Sequence, residues 1–200
     1  MATLLLLQLT LSFATGRSLS PLALATAVAE ADNLWSRYGV RIMAADDCSA
    51  PIASPVVRVT VAHARRVPAG RRLPAAPRRS ESQPLGAITF SEDGTPSPVI
   101  SLFLADIFQL VAGARVLGAL ESQWPPEMRE RIVGRVIGRV LAHEIGHYLL
   151  RTRDHGRDGL MRPNHLAFML VAPERRPFAL SKPEAARFAR QPQAPAEDAR

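Results

Sequence analysis

The segment Val140-Leu141-Ala142-His143-Glu144-Ile145-Gly146-His147-Tyr148-Leu149-Leu150 sets two imidazoles and a carboxylate inside an otherwise apolar run. Burying such groups without partners is costly, so a fold that accepts this segment must supply them with one. Trp124-Pro125-Pro126-Glu127 breaks the pattern before it, and apolar periodicity then predicts a helix from about Glu127 to Leu150. On that helix His143 and His147 stand about 40° apart and one turn from each other, so both rings reach a single ion. H-E-x-x-H on a helix is a pattern that binds Zn²⁺, with Zn–N bonds of about 2.0–2.1 Å. Glu144, about 60° round the helix from His147, lies beside the metal, where it would act as general base toward a zinc-bound water. Gly146 leaves space on the other side, and Ile145 and Leu149 face a core.

A catalytic zinc takes three protein ligands and keeps a position open. His155, eight residues after His147 and past the helix end, is the candidate for the third. Asp154 is its rival, since carboxylates also bind Zn²⁺. A second ligand set would draw a glutamate from a downstream helix, with Glu174 or Glu184 available. His165 is a spare histidine close enough in sequence to compete, and Asp158 is either a partner that orients a ligand histidine or an ordinary turn residue.

The segment Gly159-Leu160-Met161 follows His155 closely. On these residues the chain resembles the metzincins, zinc peptidases whose extended zinc motif is followed by a tight turn carrying a methionine beneath the metal. Met161 takes the place of that Met-turn methionine, and the likeness is to a divergent group of small secreted bacterial proteins. It covers His143 to Met161, roughly a tenth of the chain. The chain departs from the pattern where the family has glycine seven residues after the first histidine and the third ligand ten after it. Those positions hold Leu150 and Arg153, so the loop must run two residues longer to present His155. The resemblance implies an α/β (α+β) zincin domain with a small twisted mixed sheet, an N-terminal helix, the active-site helix and the Met-turn. It also implies an edge strand beside the cleft that pairs with an extended substrate, for which Leu85–Phe90 is the candidate.

The rest of the chain accommodates one such domain over residues 17–190. With 200 residues and 47% hydrophobic content it can bury a single ordinary core. Residues 1–16 read as a signal peptide, with the apolar run Leu4–Leu7 followed by Leu9, Leu11 and Phe13, small residues Ala14 and Gly16 before a cleavage point at Arg17, and no basic n-region. A secreted or periplasmic protein is the expectation. Leu22–Tyr38 has helical spacing, Val40–Ala44 and Val56–Ala62 read as strands, and so do Leu85–Phe90 and Pro98–Leu104 around a Asp93-Gly94 turn. Ala105–Leu120 reads as a helix, the stretch to Pro177 as turns, Pro183–Arg190 as a short helix, and residues 191–200 as a polar tail. Residues 63–84 form a loop with six arginines and four prolines.

Cys48 is the only cysteine, which excludes an intrachain disulfide and a cysteine zinc site. Its surroundings, Asp46-Asp47-Cys48-Ser49, offer nothing to form a thiolate. The net charge of +7 comes almost wholly from arginine, Lys182 being the sole lysine, and no nucleic-acid motif accompanies it. Arg131, Arg135 and Arg139, interleaved with Gly134 and Gly138, read as a solvated stripe beside two close-packing glycines, the alternative being a site for acidic substrates. The expected function is zinc-dependent hydrolysis of protein or peptide substrates by a monomer that makes no stable membrane insertion. The competing reading is a non-catalytic, metal-stabilised protein that binds an anionic partner through its arginine-rich loop.

Overall fold

The computed structural model describes residues 7–14, 19–45, 56–62 and 84–191. Cys48, His63, the arginine-rich loop up to residue 83, the cleavage point before Arg17 and the tail beyond residue 191 lie outside them. The fold is mixed α/β, with one five-stranded mixed sheet and helices packed on it.

Strand β1, Leu7–Ala14, is followed by helix α1, Pro21–Trp35, which starts where the Ser20 hydroxyl accepts from the Ala23 N–H at 3.1 Å and Pro21 presets the first turn. Strands β2, Val40–Ala44, and β3, Val56–Ala62, come next, then β4, Gly86–Phe90, and β5, Pro96–Phe103. The spatial order is β2-β1-β3-β5-β4. The first four strands in that row are parallel to their neighbours, while β4 runs antiparallel to β5 and forms one edge. Leu85–Phe90, the candidate edge strand, therefore does lie at an edge of the sheet.

The apolar stretch that reads as an export leader supplies β1, which sits between β2 and β3 with Leu9 and Leu11 fully buried. Removal before Arg17 would take a strand out of the middle of the sheet. Within β1, Leu7, Leu9, Leu11 and Phe13 alternate with Gln8, Thr10 and Ser12, the two-residue period of a strand, although its leucine-rich composition together with Leu4, Leu5 and Leu6 also suits a leader's hydrophobic region.

After β5 the chain enters α2, Leu104–Ala112. The helix expected to reach Leu120 stops there, and Arg115–Val116 (β6) and Ala119–Leu120 (β7) pair as a small hairpin. Its two turn residues, Leu117 and Gly118, have φ of 52° and 82°, the left-handed pair that a tight hairpin demands and a helix cannot hold. Helix α3, Pro126–Leu150, then runs through the core. Two short helices close the chain, α4 at Ala167–Val171 inside the segment read as turns, and α5 at Lys182–Arg190. No helix of the described residues is long and apolar enough to cross a membrane.

Helices α1 and α3 cross closely because Gly134 and Gly138 present bare backbone to α1. A Cβ on Gly134 would stand 2.5 Å from the Ala23 carbonyl, and one on Gly138 2.5 Å from that of Ala27. The inner face joins Leu9, Leu11, Val59 and Ile100 of the sheet to Leu34, Ile137 and Leu141 of the helices. The arginine stripe corrects the sequence reading. Arg131 is exposed and pairs with Glu127, but Arg135 donates to the Val171 carbonyl, and Arg139 is 1% exposed. Its guanidinium bonds Glu30 Oε1 at 2.9 Å, the Leu170 carbonyl at 3.1 Å, the Glu174 carbonyl at 2.9 Å and the Met169 carbonyl, and lies over the Phe178 ring. An arginine goes inside when every donor finds an acceptor, and α1 and the segment after Leu166 supply them.

Candidate metal centre

His143 and His147 stand one turn apart on α3, and each has its Nδ1 occupied. The His143 Nδ1–H donates to the Leu160 carbonyl and the His147 Nδ1–H to the Thr152 carbonyl, both at 2.8 Å. These bonds fix the tautomer and leave both Nε2 lone pairs facing the same point, 3.1 Å apart. Two nitrogens of one tetrahedral zinc would lie about 3.3 Å apart, given Zn–N bonds of ~2.0–2.1 Å. The orienting partners are backbone carbonyls, and Asp158 is not among them.

Helix α3 ends at Leu150, and Arg151 turns left-handed with φ 48°, one residue beyond the position where the resembling family carries glycine. The loop that follows brings His155 back to the helix, its ring stacked 5.3 Å from that of His143 and 4.8 Å from that of His147. His143, His147 and His155 offer ligand nitrogens all within 4.8 Å of one another and lie close enough to hold a metal ion. Among the described residues no other group of three or more histidine, cysteine or acidic side chains does so. Asp154 turns its carboxylate to the Thr152 hydroxyl at 3.1 Å. Glu184 is occupied as a cap, Oε2 accepting from the Ser181 N–H at 2.8 Å, and Glu174 is exposed and outside the group. His165 lies beside the Phe178 ring, its Nε2 3.4 Å from the Leu160 carbonyl that also serves His143.

Met161 packs beneath α3. A Cβ on Gly146 would sit 2.3 Å from its Sδ and 3.5 Å from the Trp35 ring, so only glycine lets the methionine approach. The Met161 carbonyl accepts the Gly156 N–H at 2.9 Å, which ties the His155 loop to the same turn.

Burial, partly opposed by the Leu160 carbonyl, pushes His143 down to about 3, and desolvation lowers His147 and His155 as well. All three favour the neutral form that binds a cation. Glu144 is pushed up to about 7 by burial, against the opposing bond from the Ile88 N–H. That bond comes from β4, and a Cβ on Gly86 would stand 2.6 Å from Val140 and 3.2 Å from Glu144, so glycine there lets the edge strand close over the carboxylate.

The histidines and Glu144 open into a cleft of about 620 Å³. Strand β4 forms one wall, and Arg162 to His165 form the other. The arrangement offers three neutral nitrogen donors, one buried carboxylate and an exposed strand edge. Sequence reasoning missed Gly86, the two orienting carbonyls, and Arg139, which lines the same cleft one turn before His143. That spacing of four residues was the available signal for Arg139. No family model matches the chain, and no curated protein is significantly similar to it.

Proposed function

We propose that the protein is a zinc-dependent metalloendopeptidase of metzincin-like type, in which His143, His147 and His155 hold Zn²⁺ and Glu144 is the general base. The observation that carries this reading is the gathering of three imidazoles, their ligand nitrogens within 4.8 Å of one another, beside a buried carboxylate in a cleft lined by a strand edge. When bound there, zinc supplies the Lewis acidity that makes water a nucleophile at neutral pH and polarises a carbonyl.

The chain's own residues do the rest. Strand β4 lies at the sheet edge with its Ile88 N–H given to Glu144, and an extended peptide pairing with the rest of that edge would lay its scissile bond across the histidines. Glu144, held by the Ile88 N–H in a desolvated setting beside the histidines, takes a proton from the attacking water and gives it to the departing amine. The Leu160 and Thr152 carbonyls keep the rings from turning, and Met161 supports them from below.

Native mass spectrometry tests the ligand set. One zinc per chain is expected, retained in Asp154→Ala and Glu184→Ala and lost or weakened in His155→Ala. Hydrolysis of an unstructured protein should stop on chelation and return with added zinc. Metal loss in Glu184→Ala alone would reassign the third ligand, and hydrolysis that survives chelation would overturn the reading.

A further inference from the structure

The cleft is unbalanced in charge. Apart from the histidines, the ionisable side chains that line it among the described residues are Arg139, Arg153, Arg162 and Glu144. Glu30 neutralises Arg139 from behind. Arg153 and Arg162 have no carboxylate partner among the described residues, although five other arginines do. Asp154, the acidic side chain nearest His155 in sequence, turns to the Thr152 hydroxyl and does not line the cleft.

The two arginines are also well placed. Gly86 of β4 lies against Val140 and Glu144, and Phe90, at the other end of the strand, lies under the Arg153 guanidinium at 5.1 Å. Arg153 further donates to the Ser91 carbonyl at 3.0 Å. These contacts hold its head group at one end of the β4 wall and leave most of its donors for a ligand. Arg162 follows Met161 directly and stands on the facing wall beside His165. A peptide laid along β4 would thus meet a cation at the Phe90 end and another across the cleft.

Resting on the peptidase reading, we infer that the site selects acidic peptide segments, with Asp or Glu side chains on either side of the bond over the histidines. A carboxylate there gains charge-assisted, two-pronged hydrogen bonds from arginine, whereas a basic side chain meets like charge that Glu144 alone, among the described residues lining the cleft, offsets.

The test uses the full-length zinc-loaded chain carrying Glu144→Gln, so that peptides bind without turnover. Three fluorescein-labelled peptides share one apolar centre and differ only in flanking Asp, Gln or Lys. Fluorescence anisotropy should show the Asp peptide binding about tenfold tighter than the Gln peptide and the Lys peptide weakest, the preference shrinking in 0.5 M salt. Arg153→Gln and Arg162→Gln should each reduce the Asp preference about threefold, in the range of exposed ion pairs, while Arg131→Gln, on the solvent side of α3, leaves it intact. Equal binding of the three peptides, binding of none, or a preference that persists in the double Arg→Gln variant overturns the inference. The same peptides given to the wild-type zinc protein separate the two claims. Cleavage indifferent to flanking charge overturns the acidic preference and leaves the peptidase reading standing. Selective binding without cleavage does the reverse.

Discussion

Replacing Arg139 by methionine isolates what the buried cation does. Methionine keeps most of the unbranched stem and removes the guanidinium, so the substitution deletes bonds more than volume. Glu30, 3% exposed, loses its 2.9 Å partner and keeps only the Arg175 Nε at 2.7 Å, from a side chain that is 44% exposed. The carbonyls of Met169, Leu170 and Glu174 lose their donor at the same time. Breaking a buried pair from one side costs about 3–5 kcal/mol, and the orphaned carbonyls place this site toward the upper end. In a domain of this size that lowers Tm by about 10 °C or more. Urea denaturation of the metal-free protein measures the loss directly, and Arg139→Met combined with Glu30→Gln should cost less than the sum of the two because they share one network. A loss under about 1 kcal/mol, the range of ordinary surface substitutions, would refute the bonded brace described here.

Gly146→Ala should cost about 1–3 kcal/mol by overpacking and weaken zinc binding, because its Cβ displaces Met161 from beneath the histidine turn; zinc titration by calorimetry checks the second effect. With zinc removed, the contribution of His143 to stability should fall as pH drops from about 6.5 to 3. His143 is held neutral down to about 3 in the fold but takes a proton near 6.5 when unfolded, so the unfolded state binds the extra proton across that window. His143→Phe should flatten the slope by about 1.4 kcal/mol per pH unit, and an unchanged slope would contradict the burial. Glu144 acts with the opposite sign, its contribution being lost as pH rises from about 4.5 through 7. Leu11→Ala in β1 should cost about 2–5 kcal/mol, and intact-mass spectrometry of the mature chain decides between leader and strand. A folded chain beginning at Arg17 would contradict the place of β1 in the sheet.

The parts of this fold that were legible are those whose signals are local. The Trp124-Pro125-Pro126 break before α3, the apolar spacing of α1 and the β-branched runs of β2 and β3 announce themselves within a few residues. His155 was legible because a metal needs a third donor and the chain has only five histidines. What was not legible depends on distant partners. Arg139 looks like its neighbours Arg131 and Arg135 until Glu30, 109 positions away, is brought beside it. The Leu160 and Thr152 carbonyls carry no residue-type signal at all, since backbone acceptors are set by the path of the loop. The break after Ala112 was hidden because Leu110, Val111 and Val116 keep apolar spacing across a turn that Leu117 and Gly118 take left-handed. The run from Leu7 to Ala14 carries a strand's alternation in Gln8, Thr10 and Ser12, which the leucine-rich composition of the leader reading masked, and β2 and β3 pair with it on either side.

The proposed hydrolysis rests on Glu144 acting beside His143, His147 and His155. Its most direct test compares wild type and Glu144→Gln, each shown to carry one zinc, on the same unstructured protein substrate. Equal metal content is expected, with hydrolysis reduced at least about 100-fold in the variant, the span expected of a positioned general base. Equal hydrolysis by both proteins, or none by a wild type that holds its zinc, would contradict it.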